Sequence, residues 1–313
     1  MNYRVRHLSR FRYGQPVNLS HHLVHLRPRH VAHQVCRTHE LRVAPRPARL
    51  REERDPFDNP VARLTVDAPH DALEIEAISV IEVTAPARPE RPETTWPWDG
   101  VHARAMADLT PDGLAIYQYA FDSRYTSTTA FSELSAFTAE SFPPGRPLLD
   151  AAIELMGRVH AAFVYDSEAT DTETTLDEVL SKKRGVCQDF AHLQIACLRA
   201  LGLPARYVSG YLLTHPPEGK PRLVGADASH AWLSVWVPDV GWVDLDPTNN
   251  VIPGDEHITL AYGRDYGDVS PVRGVMIGGG AHEVGVEVDV MPLDVDRPAD
   301  TGKGTRPDTD MEA

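Results

Sequence analysis

The chain has 313 residues, of which 42% are hydrophobic and 24% charged, enough to bury one large core or two modest ones. No apolar run approaches the length of a membrane-spanning helix, and the first residues, MNYRVRHLSRFRYG, lack the apolar stretch of a secretory leader, so a soluble, cytoplasmic protein with no membrane partner is expected. Three scattered cysteines, Cys36, Cys187 and Cys197, exclude a disulfide framework and a cysteine-based zinc site, and free thiols are expected.

Residues 1–54 carry twelve arginines against Glu40, Glu52 and Glu53, a net of +9 that leaves −23 for the remainder of a chain whose total is −14. In YRVRHLSRFRY the arginines alternate with apolar residues and do not cluster, so they are read as the solvent face of strands, with an electrostatic contact to the acidic second unit as an addition. No nucleic-acid partner is expected. The runs YRVRHLSRFRY, THELRVAPRP, ARLTVDA and LEIEAISVIEVT, separated by proline, aspartate and asparagine, predict a small antiparallel β-domain over residues 1–85. Residues 86–100 are too rich in proline for helix or central strand and are read as a linker or strap.

Residues 146–166 then place Leu148, Ala151, Ala152, Leu155, Met156 and Val159 at helical spacing, with Pro147 near the start. A short helix follows in TLDEVLSKK, acidic at its beginning and basic at its end as the helix dipole favours. The segment KRGVCQDFAHLQIACLRALGLP predicts a helix from near Cys187 to about Leu201, stopped by Gly202 with Pro204 beyond. After it the period becomes two, and ARYVSGYLL, SHAWLSVWVP, GWVDLDP, HITLAYG, VRGVMIG and HEVGVEVDV read as strands. Residues 101–292 are therefore expected to form an α+β unit, helices first and an antiparallel sheet after. Residues 293–313, almost without apolar side chains, are expected to be a disordered tail.

A cysteine in the first turn of a helix meets unpaired N–H groups and the positive end of the dipole, both of which favour the reactive thiolate. Gly185 allows a tight turn before Cys187, whose own N–H would face an oxyanion formed at its sulfur. Cys197 sits mid-helix on the face of Leu193 and Leu201 and is read as core. A cysteine nucleophile also needs a histidine to hold its proton and a third group to orient that histidine. GADASHAWLSVWVPDVGWVDLDPTNN supplies His230 with Asp244 and Asp246.

Together, G-x-C at a helix start, H-A-W on a strand and G-W-x-x-x-D-P-T resemble the bacterial transglutaminase-like superfamily. That resemblance implies a papain-like core with Cys187 as nucleophile, His230 as general base and acid, and Asp246 as the orienting carboxylate. YGQPVNLSHHLVHLRPR and DPFDNPVARL resemble the β-domain that precedes this core in one bacterial branch, with Asp58 where glycine is usual, a change expected to affect turn shape alone. HITLAYGRDYGDVSPVRGV resembles the same branch's segment after the triad. Strand alternation cannot choose between Asp244 and Asp246, because 242, 244 and 246 share a face. A hairpin about PDVG with its midpoint at Pro238 would set Asp246 opposite His230 and Asp244 opposite Trp232.

The expected chemistry is acyl transfer through a Cys187 thioester on a protein or peptide substrate. A cysteine peptidase or amidase cleaving a peptide, isopeptide or glutamine-type amide is the first reading. A protein-glutamine acyltransferase using an amine acceptor is the alternative, and a non-catalytic peptide-binding module is a third. Trp232, on the face of His230, is a candidate wall of the substrate cleft or a packing indole; Gln188 is a candidate oxyanion-side donor; Asp189 is read as a first-turn carboxylate serving the helix. His21 and His25 have a spacing that could hold a metal only on a helix, and Pro28 and the lack of a nearby carboxylate argue against it. No metal and no cofactor are expected.

Overall fold

The computed structural model describes residues 1–169, 174–215 and 229–293. The expected tail, apart from Leu293, lies outside the described residues. The alternating segments form β1 (Asn2–Val24), β2 (Gln34–Ala44), β3 (Arg49–Arg54), β4 (Pro60–Val66) and β5 (His70–Val83). Helices α1 (Trp98–Ala107), α2 (Pro111–Tyr117), α3 (Phe131–Ala139) and α4 (Leu148–Ala162) follow, then β6 (Val164–Tyr165), α5 (Leu176–Lys182), β7 (Arg184–Gly185) and α6 (Cys187–Ala200). The remaining elements are β8 (Ala205–Leu212), β9 (Ser229–Val237), β10 (Gly241–Leu245), β11 (His257–Gly263), α7 (Tyr266–Val269), β12 (Val272–Gly278) and β13 (His282–Pro292). The fold is α+β: an N-terminal antiparallel sheet, and helices packed on a second antiparallel sheet.

The first sheet runs β2-β5-β1-β4-β3, and β12 and β13 also pair with β1. The sequence reading placed residues 101–292 in one unit after the linker. The pairing instead carries 272–292 back to the first sheet, where Tyr3 faces Pro292 and Tyr13 faces His282. Strand periodicity identifies a strand but not its partner, so this return was not visible in the pattern. It also answers the charge asymmetry locally: Arg6 lies 3.7 Å from Asp289 and Arg10 pairs with Glu287. The proline-rich stretch is a strap on the core, with Trp96 O accepting from Leu148 N at 2.8 Å and α1 beginning within it at Trp98.

The second sheet, β10-β9-β8-β11, packs against α6, whose other sides meet α3 and α4. Every residue of α6 from Gln188 to Arg199 is buried, including Cys197, as its mid-helix position predicts. A central helix of this kind holds its first turn in a fixed place, because packing on all sides leaves it no direction in which to slide. β11 is the edge of this sheet, and side-chain amides of the first unit complete it. Gln34 bonds both N–H and C=O of Thr259 at 2.8 Å, and Asn59 does the same for Tyr262 at 2.8 Å. Such amides mimic a neighbouring strand and satisfy the outward backbone groups of Thr259 and Tyr262. Asp58, beside Asn59, has φ 60°, the left-handed conformation that explains why glycine suits this position.

Candidate active site

The first turn of α6 is fixed by its own sequence. Val186 is extended, and Asp189 Oδ2 accepts the Val186 N–H at 2.8 Å. A Cβ on Gly185 would lie 2.5 Å from that oxygen, so glycine is what lets the carboxylate fold back over the helix start. Asp189 therefore serves the helix, as read. Cys187 is the first residue of this turn and is partly exposed, in contrast to the fully buried Cys197.

His230, near the start of β9, reaches Cys187 on one side and Asp246 on the other. Its Nε2 donates to Asp246 Oδ2 at 2.8 Å, and its hydrogen bond to Cys187 leaves Nδ1 as the nitrogen on the sulfur side. Burial alone would push this imidazole down, but the hydrogen bonds to Asp246 and Cys187 outweigh it and hold His230 up at about 10. Asp246 is fully buried. Burial would raise it, yet donors from His230, His257 and Asn249 hold it well below the usual carboxylate range. Its Oδ1 accepts from the N–H of Thr248 at 3.0 Å and of Asn249 at 3.2 Å, so the carboxylate is clamped by the turn that follows it.

Two members of this network escaped the sequence reading. Asn249 Nδ2 donates to Asp246 Oδ2 at 2.8 Å, and His257 Nε2 donates to the same oxygen at 3.1 Å. Asn249 was within reach, since it lies three residues after Asp246 in DPTNN, where a side chain can turn back on an aspartate. His257 carried no such signal, because it begins β11, whose place beside β8 is a matter of topology. His257 Nδ1 is buried without a partner among the described residues, and Nε2, which faces the carboxylate, is the nitrogen that donates. His230, Asp246 and His257 bring ligand atoms within 4.8 Å of one another. Two imidazoles bonded to one carboxylate oxygen account for that convergence. His21 bonds Thr65, while His25 bonds Ser270 and Asp55, so that pair forms no shared site.

The hairpin register differs from the reading. Trp242 faces Trp236 and Asp244 faces Ser234, so the turn centres on Asp239, not on Pro238. Asp239 has φ 64° and Gly241 φ 101°, a three-residue turn that moves the ladder by two positions. Asp246 lies beyond the ladder, bridged to Val251, and His230 reaches it diagonally. Asp244 instead accepts from Trp232 Nε1 at 3.0 Å and Ser234 Oγ at 2.5 Å.

Trp232 has no exposed surface, and the expectation that it walls a cleft is corrected. Its face of the sheet is covered by Val31 of the first unit and by Tyr262, and the missing Cβ of Gly210 makes room for the ring, which a Cβ would meet at 2.4 Å. The indole lies beneath the imidazoles, 5.9 Å from His230 and edge-on to His257 at 5.2 Å. Gln188 is buried beside Cys187, and its Nε2 has no hydrogen-bond partner among the described residues. Tyr165, 56% exposed, lies near enough to Cys187 for their charges to interact.

Residues 3–82 match the family described as the bacterial transglutaminase-like N-terminal region, and residues 136–247 match the transglutaminase-like superfamily. The chain is 39% identical over 303 residues to an uncharacterized protein of Mycobacterium tuberculosis, covering 94% of each. It is 33% identical over 107 residues to a protein-glutamine gamma-glutamyltransferase of Pseudomonas aeruginosa, covering 34% of this chain and 16% of that one. Its fold matches that of a candidate cysteine protease from Cytophaga hutchinsonii with a TM-score of 0.73 at 20% identity, over 95% of this chain and 92% of the other.

Proposed function

Because the chain belongs to the transglutaminase-like superfamily, whose members are usually cysteine-dependent enzymes, we propose that it is a thiol-dependent acyl-transfer enzyme acting on a protein or peptide amide. The observation that carries this reading is a single imidazole, His230, bonded at once to a helix-start thiol and to a buried carboxylate. In the proposed cycle Cys187 Sγ attacks the amide carbonyl carbon after its proton passes to His230 Nδ1. The tetrahedral oxyanion is met by first-turn N–H groups of α6, which have no intrahelical acceptor. As the C–N bond breaks, His230 returns the proton to the departing amine or ammonia, leaving a thioester on Cys187. Asp246 keeps the imidazole oriented and balances its charge while it holds the proton.

Partial exposure of Cys187 lets water reach the thioester, which favours hydrolysis, the work of a peptidase or amidase. The local likeness to a protein-glutamine gamma-glutamyltransferase favours transfer to an amine as the second reading. Incubating the protein with a glutamine-containing peptide and a labelled primary amine separates the two. Release of ammonia without amine incorporation supports the hydrolase, and amine incorporation supports the transferase. A protein that traps no acyl group on Cys187 from peptides or from a cell lysate, with the Cys187→Ser variant indistinguishable from it, would sink both.

A further inference from the structure

A cleft of about 630 Å³ opens between the first unit, at residues 31–33 and 84–88, and one side of the second sheet. One wall is the segment 84–88, with Arg88, and the other carries Arg206 of β8, Trp242 and Asp244 of β10 and Tyr262 of β11. The Arg206 guanidinium lies against two rings, its Cζ 3.5 Å from the Tyr262 centroid and 4.3 Å from that of Trp242. Its Nε donates to Ser234 Oγ at 3.2 Å, while its terminal amino groups bond no other described residue. The one carboxylate on the wall, Asp244, already accepts from Trp232 and from Ser234.

This is an arginine built to receive something. Contact with two aromatic rings and the Nε bond to Ser234 restrain the guanidinium and remove part of the entropy that a free arginine loses on binding. What is left for a ligand is the edge, a planar pair of N–H donors that matches two oxygens of one anion. The cleft presents two arginines against one occupied carboxylate, so its own charge attracts an anion.

We propose that this cleft binds a carboxylate-bearing ligand, with Arg206 as the bidentate donor and Arg88 as the second cation at its rim. Two sources share that chemistry, a small dicarboxylate and the C-terminal carboxylate of a peptide. Calorimetric titration of the full chain, at fixed ionic strength set with chloride, uses glutarate in one arm and a short peptide with a free C-terminus in the other. The same peptide as its C-terminal amide, and inorganic phosphate, serve as comparisons. At least one carboxylate should bind, with affinity at least tenfold weaker in Arg206→Lys, which keeps the charge and loses the planar fork; Arg88→Ala should weaken it less. Equal binding by wild type and Arg206→Lys, binding of phosphate but of neither carboxylate, or no binding above the chloride background would overturn the proposal. If Arg206→Lys unfolds at a lower temperature, Arg88→Ala at the exposed rim still gives the test, and an unchanged affinity there counts against the site. The measurement needs no turnover, so its failure and a failure of the acyl-transfer proposal are separate results.

Discussion

Replacing Asp246 by asparagine keeps the size of the side chain and removes its charge. The Oδ1 contacts to the N–H groups of Thr248 and Asn249 can be kept by the amide oxygen. The amide nitrogen then faces three donors, His230 Nε2, Asn249 Nδ2 and His257 Nε2, where the carboxylate oxygen had accepted from all of them. His230 relieves the clash only by moving its proton to Nδ1, the nitrogen that should take the proton from sulfur. The gap between the His230 value of about 10 and the ordinary 6.5 corresponds to about 5 kcal/mol of preference for the imidazolium. Without the carboxylate, burial prevails, the ring stays neutral near pH 6, and the sulfur loses its counter-ion. With no imidazolium beside it the sulfur loses the partner that favours its reactive form, and alkylation of Cys187 at pH 6 should slow by about two orders of magnitude. The assay is the rate of iodoacetamide labelling at Cys187, followed by mass spectrometry between pH 5 and pH 9, with thermal unfolding as a control for the fold. A folded Asp246→Asn protein that labels at pH 6 within about threefold of wild type would refute the reasoning.

Burial pushes the Cys197 thiol up to about 12 and raises Cys36 as well, so at pH 6 only Cys187 should be labelled in the folded protein; equal labelling of Cys36 would contradict this. Asp244→Ala leaves the buried Trp232 N–H and the Ser234 hydroxyl without their acceptor, at about 1–3 kcal/mol each. It should lower the unfolding temperature while leaving Cys187 labelling within a few-fold of wild type; a large loss of labelling in a stable protein would mean that the two aspartates have been assigned the wrong way round. The raised folded value of His230 makes its contribution to stability complete below about 6.5 and lost as pH rises through about 10. The lowered folded value of Asp246 makes its contribution complete above its ordinary carboxylate value and lost as pH falls through its folded one. The stability difference between wild type and Asp246→Asn, measured by denaturant titration, should therefore be widest between about pH 4 and 6.5 and narrow toward pH 10; a difference that grows with alkaline pH would exclude His230 as the group responsible.

The elements around the thiol were readable because each is local. Gly185, Cys187 and the apolar face behind them specify a buried helix with an accessible first turn, and SHAWLSVWV specifies a strand with His230 on a definite face. What lay over that face was not readable. Trp232 shares parity with His230, but whether the parity faces solvent depends on Val31, about 200 residues earlier, and on Tyr262. The hairpin shows a similar limit: PDVG announces a turn, yet its centre falls on the left-handed Asp239 and the register moves by two. Asp246 survives the error because a carboxylate just past the end of a ladder can still be reached along the diagonal. His257 and the return of β13 to β1 belong to the same class, since both depend on which strands become neighbours, information that periodicity does not carry.

The closure of the first sheet by the end of the chain sets the order of events during synthesis. The Arg10–Glu287 pair joins residues 277 positions apart. At translation rates of roughly 5–20 residues per second, β1 waits some tens of seconds for the strand that covers its second edge. Until then β2, β5 and β1 can assemble, but one side of β1 offers a row of unpaired N–H and C=O groups, the kind of border onto which another nascent chain can dock. Arg4, Arg6, Arg10 and Arg12 crowd that border with like charge, and charged side chains are among the devices that keep open strands apart. The alternating arginines of YRVRHLSRFRY thus have work to do before the molecule is complete: they guard an unfinished sheet until Glu287 and its strand arrive.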